Sequence, residues 1–158
     1  MFKNKHVIVA MLVAPLLAIL AWFAVGEFAG EKPKAAVAGQ TYPLVEQSNC
    51  RYDSGACDLE NEDMRLRVTL VQTGSRYHLQ LSSSYDLEGV LMAISVGGID
   101  GRPAAMEASD AEGKLWRLPL GELPRDDSRL RVAARASGSN YYGDISTTFL
   151  ERYRSGSP

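Results

Sequence analysis

The stretch that decides the fold is MRLRVTL at positions 64–70, where apolar and polar residues alternate. A period of two is typical of a strand with one buried and one exposed face. The residues QTGS at 72–75 favour a turn, and YHLQL at 77–81 resumes the alternation. Together these segments predict a β-hairpin.

More strands follow the hairpin along the chain. The apolar run VLMAISV at 90–96 predicts a largely buried strand, and RLRVA at 129–133 alternates once more. KLWRLPL at 114–120 predicts a strand that Pro119 restricts to an edge or an end of a sheet. DISTTFLERY at 144–153 predicts a last strand through Ile145, Thr147 and Phe149, with an end that is compatible with a helix.

The spacing of these segments indicates the fold class. Short strands at intervals of about 10–20 residues, separated by Gly, Ser, Asp and Pro, predict an all-β domain, an immunoglobulin-like β-sandwich. The segment 104–113 has room for one helical turn at most. The sandwich domain is expected to span 42–153, a length that can bury a core without help from a metal, and 154–158 to form a disordered tail.

The region before the sandwich domain indicates a membrane anchor. Residues 7–25 form an uncharged apolar run of nineteen residues, and at about 1.5 Å each they nearly match a hydrocarbon core of about 30 Å. This predicts a single N-terminal transmembrane helix, joined to the domain by a linker at 26–41. A cleaved signal has a shorter apolar region of about 7–15 residues with a small-residue site close behind it. Here the best such site, Ala36-Val37-Ala38, lies far beyond the run, so we expect an uncleaved signal anchor.

Basic residues predict the orientation of this anchor. Lys3 and Lys5 precede the run without any acid, whereas Glu27 and Glu31 are the first charges behind it. Because basic flanks stay inside, residues 1–6 are expected to form a cytoplasmic tail. In a bacterium the span would cross the inner membrane once and place the C-terminal domain in the periplasm.

The predicted span also carries a strip of small residues. Ala10, Ala14 and Ala18 are spaced by four and fall on one helix face. Small side chains let two helices approach closely in lipid, which predicts an integral-membrane protein partner. The alternative is that alanine is common in such spans and the spacing is accidental.

Charge and motif content limit the possible functions. Beyond the span there are nineteen acidic residues and fifteen Lys and Arg, a formal charge of −4. Nucleic-acid binders carry a basic surplus, so that class is excluded. His78 is the sole histidine beyond the span, and nucleophile, phosphate-loop and zinc motifs are missing from the sequence. We therefore expect a protein that is not an enzyme and needs no cofactor.

The two cysteines of the chain, Cys50 and Cys57, are separated by a short segment that contains Gly55. In an oxidising exported compartment such a pair favours a disulfide. A soft-metal site and a redox pair are the alternatives, although the spacing is not that of a thioredoxin-like motif. Copper(I) would also take sulfur and imidazole ligands; the remaining candidates, which lack recurrent ligand spacing, are Met64, Met92, Met106 and His78. The acidic run at 58–63 lacks the ligand spacing of a calcium loop, which favours a solvated turn.

Arginines and aromatics supply the candidate contact residues. The polar phases of two strands carry Arg65, Arg67, Arg129, Arg131 and Arg135. They indicate either a solvated, salt-paired face or a docking face for an acidic partner. Possible anchors of such a contact are Trp116, Tyr141 and Tyr142. The tyrosines lie in SGSNYYG at 137–143, which favours a loop; because adjacent residues of a strand face opposite ways, one of the two is expected to be exposed.

The layout resembles small bacterial proteins of the FixH and YtkA type, which combine one N-terminal span, a linker and a small immunoglobulin-like domain. The resemblance rests on the span, on GKLWRLPL at 113–120, which is similar to the Gly-x-Trp strand of those domains, and on the next strand at 130–132. It implies an accessory role near respiratory oxidases or in copper handling. The sequence thus predicts an accessory or interaction subunit of a membrane complex, with a copper-binding or copper-delivery domain of oxidase assembly as the alternative.

Overall fold

The computed structural model describes residues 5–28 and 37–156. The chain divides into two compact units, Met1–Lys34 and Ala35–Pro158. In the first unit, helix α1 covers Lys5–Phe28 and includes Pro15.

Within α1, side chains are described without interruption from Met11 to Trp22. No helix in the part of the chain described is long and apolar enough to cross a membrane. The predicted transmembrane helix at 7–25 is therefore not shown and stays a prediction. Ala14 and Ala18 are exposed, whereas the side chain of Ala10 lies outside the described residues.

The second unit is built from two six-stranded sheets, which confirms the predicted all-β class. Sheet 1 has the order β1 (Thr41–Pro43), β12 (Ser139–Ser146), β11 (Ser128–Ala136) and β6 (Gly89–Val96), with β7 (Ile99–Asp100) and β8 (Ala104–Ala105) both paired to β6. Sheet 2 has the order β2 (Val45–Glu46), β3 (Ala56–Asn61), β4 (Met64–Thr73), β5 (Arg76–Ser83), β10 (Leu115–Leu120) and β9 (Glu107–Ala108).

The two sheets enclose one hydrophobic core, as expected of a β-sandwich. Alternate residues of β4, β5, β11 and β12 are buried, because successive side chains of a strand point to opposite faces. The largest fully buried side chains include Leu66, Leu79, Leu130, Ile145 and Phe149. Every other residue of these strands consequently faces outward and forms the outer faces of the two sheets.

The predicted hairpin is confirmed as β4 and β5. The strands pair antiparallel from Leu66 opposite Ser83 to Thr73 opposite Arg76, with Leu70 opposite Leu79. The turn between them holds Gly74 at a positive φ of 63°. Glycine adopts this conformation without steric cost, so the turn chemistry and the alternation specify the same register.

The position of Pro119 agrees with the prediction that its strand lies at an edge or an end of a sheet. Strand β10 pairs with β5 along its whole length, but β9 contacts only Trp116 and Arg117. The carbonyl of Leu115 accepts from Ser109 on the β9 side, and Pro119, four residues on, faces that side beyond the end of β9. The missing N–H of proline therefore costs no ladder hydrogen bond.

Residues 104–113 contain the strands β8 and β9, within the limit of one helical turn that the sequence set. Two other local predictions were wrong. Most of the acidic run at 58–63 is strand, since β3 continues to Asn61, and only Glu62 and Asp63 form the turn. The segment 137–143 is mostly strand, because the hairpin turn consists of Ser137 and Gly138, both with positive φ.

The C-terminal segment also differs from expectation. The last strand ends at Ser146, and a 3₁₀ turn at Thr148–Leu150 leads into helix α2, Glu151–Arg154. Arg154, which was expected in the disordered tail, donates to the carbonyl oxygens of Pro124 at 2.8 Å and Thr147 at 2.9 Å. These charge-assisted bonds give the end of the chain fixed contacts with the domain.

Candidate interaction surface

The three predicted aromatic anchors have different environments. Trp116 is 8% exposed, and its indole N–H donates to the carbonyl of Gly113 at 2.8 Å. Tyr141 is also 8% exposed and stacks on Tyr42 with ring centroids 5.6 Å apart. Tyr142 is 52% exposed, so adjacent tyrosines do face opposite ways. Of the three, Tyr142 alone is placed to contact a partner.

Tyr142 belongs to an apolar row across the outer face of sheet 1. Ala133 pairs directly with Tyr142 on one side and with Leu91 on the other, and Leu91 pairs with Ala105. We call these four residues the apolar row. Leu91 is 48% exposed. Two large apolar side chains, Tyr142 and Leu91, are thus exposed to solvent on either side of the small Ala133. The row crosses four strands, and its residues are direct cross-strand neighbours.

A shallow depression opens along this row, lined by Leu91, Ala133 and Tyr142. It encloses about 550 Å³, with Ala93 and Ala133 among the residues that line it. Tyr142 borders it on β12, and Pro103 contributes from the connection between β7 and β8. The small side chains leave room for one bulky apolar group to reach the sheet surface.

The arginines around the apolar row are compensated. Arg131 forms an ion pair with Asp100. Nε of Arg129 lies 2.7 Å from Oδ1 of Asp144. Nε of Arg135 lies 3.0 Å from Oε2 of Glu88. Each positive charge has a carboxylate partner of its own, so this face offers little net attraction to an acidic surface.

The outer face of sheet 2 has arginines as well, but different neighbours. Thr69 pairs with Gln80, and Arg67 pairs with Ser82. The Arg67 guanidinium holds Asp58 through two bonds, Nε to Oδ1 at 2.6 Å and Nη2 to Oδ2 at 2.8 Å. The central positions of this face are therefore polar, and Arg67 and Asp58 are bonded to each other.

Two pKa shifts accompany this ion pair. The hydrogen bond from Arg67 lowers the pKa of Asp58 below 3.8, and burial opposes it only in part. The same bond raises the pKa of Arg67. Both shifts favour the charged forms, which is the behaviour of a structural ion pair on the solvated face.

The predicted disulfide between Cys50 and Cys57 is confirmed, with Cα atoms 4.3 Å apart. Both cysteines are fully buried, and the bridge ties the 3₁₀ turn Ser48–Arg51 to β3. Copper binding through these sulfurs would first require reduction, because the metal ligand is the thiolate.

The three methionines considered as copper ligands belong to the same hydrophobic core as the two cysteines. Met64, Met92 and Met106 are buried, and His78 is half-buried. The backbone N–H of Met106 donates to the carbonyl of Val90, and this contact, absent from the sequence argument, accounts for its fixed position. Within residues 5–28 and 37–156 there is no cluster of three or more His, Cys, Asp or Glu residues able to hold a metal ion.

Leu91, Ala133 and Ala105 were not recognised from sequence. Leu91 lies in the run at 90–96, whose continuous apolarity hides which residues face out. The phase of the strand does not mark Leu91 as exposed, since Ala93 and Ser95 share that phase and are buried. No family model matches this chain, and no curated protein or solved structure matches it either.

Proposed function

We propose that this protein is a membrane-anchored accessory subunit, without enzymatic activity, whose immunoglobulin-like sandwich binds a partner protein through the apolar row. The observation that carries the proposal is the exposure of Tyr142 and Leu91 on either side of Ala133. Water-exposed apolar side chains in one contiguous patch, rimmed by polar groups, are typical of interaction sites.

The anchor and location follow from the sequence. The apolar run at 7–25 behind Lys3 and Lys5 supports a signal anchor with its N-terminus in the cytoplasm. The domain then lies in the periplasm of a bacterium, next to the inner membrane. An integral-membrane partner fits this arrangement, since it can meet both the domain and the small-residue strip that includes Ala14 and Ala18.

The surface also defines the chemistry of the partner. Every arginine beside the apolar row is paired, so the partner needs an uncharged patch with an apolar side chain to fill the depression of about 550 Å³. Burying paired charges at the rim costs less than burying free ones, provided that the pairs stay intact. This replaces the acidic partner considered from sequence.

Site-specific photo-crosslinking in cells tests the proposal. A photoreactive residue at position 91 of the full chain should give a discrete adduct, and the same residue at position 80 should not. Leu91 and Gln80 are on the outer faces of different sheets, which makes them a matched pair. The adduct at 91 should be lost when Ala133→Lys is added. Equal adducts from both positions, or an adduct indifferent to Ala133→Lys, would contradict the proposal.

A further inference from the structure

The apolar row alternates large and small side chains across sheet 1. From β12 to β8, its members are Tyr142, Ala133, Leu91 and Ala105. In the opposite direction the order becomes small, large, small, large. A reversed copy of the row therefore presents a small residue to each large one, so the row is complementary in size to itself.

The same relation of sizes holds along the two central strands, β11 and β6. Three successive cross-strand pairs of the outer face each join a large residue to a small one. They are Arg135 with Gly89, Leu91 with Ala133, and Arg131 with Ala93. If two such faces met about an axis between β11 and β6, a large residue of one would lie on a small residue of the other at all three levels.

We propose that the occupant of the apolar row is a second copy of this chain. The two copies are related by a two-fold axis that runs along the strands, between β11 and β6. Leu91 of one copy then lies on Ala133 of the other, and Tyr142 lies on Ala105. Two-fold contacts between identical surfaces are the commonest kind in homo-oligomers. This inference rests on the proposed function, since it names the partner that binds the apolar row.

The charges of the face are compatible with this pairing. Arg131 of one copy lies opposite Ala93 of the other, and Arg135 lies opposite Gly89, so these arginines do not meet their own counterparts. Both arginines keep the carboxylate partners that they have within their own chain. Neither copy therefore has to supply a counter-charge, and intact pairs limit the cost of desolvation. The uncharged patch required of the partner is present on this surface itself.

The direction of the axis also suits two chains anchored in one membrane. Sheets that pack face to face keep their strands within about 30° of each other, and an axis along the strands satisfies this. It also leaves equivalent strands pointing the same way in both copies. The first strand, β1, runs parallel to β12 in this sheet, so both N-terminal connections leave the pair at the same end. An axis across the strands would place these connections at opposite ends.

Complementary changes of size test the two-fold axis. Ala133→Leu places two large residues opposite each other, and Leu91→Ala leaves two small ones. Each variant alone should therefore dimerise about tenfold more weakly than the parent. A mixture of the two variants should form heterodimers with nearly parental affinity. In the heterodimer the new leucine of one chain meets the new alanine of the other, while the second contact keeps the parental residues.

Energy transfer between differently labelled full-length chains in lipid vesicles measures these affinities. Gln80→Leu is the matched control, because it adds the same side chain to the outer face of sheet 2 and should leave dimerisation unchanged. Restored affinity in the mixture supports the axis even though each variant is weak alone. The proposal is overturned if the mixture pairs no better than either variant, or if Gln80→Leu weakens dimerisation as much as Ala133→Leu does.

The composition of the photo-adduct from position 91 separates this inference from the proposed function. When two differently tagged full-length chains are expressed together, the adduct should have the mass of two chains and carry both tags. An adduct that contains one copy and a different protein would overturn the second copy but support the proposed function. The absence of a discrete adduct would contradict both.

Discussion

The two outer faces of the sandwich start from the same sequence pattern and end as different surfaces. Strands β4 and β11 both carry arginines at alternate positions. On sheet 2, the neighbours of β4 across the sheet are Ser82 and Gln80, and the face is polar throughout its centre. On sheet 1, Ala133 lies between Leu91 and Tyr142. The character of a face is therefore decided by cross-strand partners more than by the strand that carries the charges.

The largest expected effect tests the difference between the two outer faces directly. Leu91→Asp puts a charge into the apolar row and should weaken partner binding by about thirtyfold or more, the range of an interface hot spot. Gln80→Asp on sheet 2 should leave binding unchanged. Affinity for the cross-linked partner, measured with the purified full chain, checks both. Equal losses would mean that the faces do not differ in function.

The disulfide extends the comparison to stability, because Cys57 lies on a strand of sheet 2 and neither cysteine lies on a strand of sheet 1. Replacing Cys50 and Cys57 together by Ser should lower the free energy of unfolding by about 2–3 kcal/mol, the chain-entropy value for so short a loop. Urea denaturation of the full chain in nanodiscs measures this loss. Hydrogen exchange should then rise at β3, which holds Cys57, and stay low in β11. Faster exchange in both strands would show that the sheets do not respond separately.

The ion pair of Arg67 with Asp58 makes sheet 2 sensitive to acid. The pKa of Asp58 is lowered, so its contribution is present above the unfolded value of 3.8 and is lost as the pH falls through the folded value. Asp58→Asn should cost at most about 1 kcal/mol at neutral pH, since the arginine is largely exposed. Denaturation curves across this acid range should show a smaller drop for the variant than for the parent. Arg67→Gln should give the same reduction, and a parallel drop in all three would contradict the assignment.

The adjacent tyrosines offer a smaller test on sheet 1. Burial, more than nearby Tyr42, raises the pKa of Tyr141 above 10.0. Its stabilising effect is thus present below pH 10.0 and is lost as the pH rises through the folded value. In an alkaline absorbance titration, Tyr141→Phe should remove a late-ionising phenol. Tyr142→Phe, on the exposed face, is the matched control for the loss of one phenol.

The features that could be predicted from the sequence are those that depend on a local pattern of residues. The β4–β5 hairpin followed from alternation around a glycine turn, and the burial of only one tyrosine followed from adjacency in a strand. Trp116 was misjudged, although it shares a phase with Leu118, which is also buried. Trp116 was considered a contact residue because it is aromatic, whereas its position in the strand indicated a buried side chain.

The candidate site could not be assembled from sequence, because it depends on register between distant strands. Leu91 and Ala133 are neighbours only through the pairing of β6 with β11. The partner of Arg131 is Asp100, 31 positions away, so the sequence could not reveal that this charge is neutralised. Without that information an acidic partner was reasonable, and with it an uncharged partner follows.

The smallest expected effect decides between these two partners. If the arginines of sheet 1 met an acidic surface, binding would weaken steeply as salt screens the attraction over a Debye length of about 10 Å at 0.1 M. Because Arg129, Arg131 and Arg135 are all paired within the face, we expect affinity to change by less than about threefold between roughly 0.05 and 0.5 M salt.

Glu88→Gln leaves the guanidinium of Arg135 without its carboxylate, and should make binding to an uncharged patch weaker instead of tighter, since an unpaired charge must be desolvated. With an acidic partner, Glu88→Gln would instead tighten binding. The affinity of the Glu88→Gln variant at several salt concentrations therefore distinguishes an uncharged partner from an acidic one, even if the affinity of the parent protein does not depend on salt.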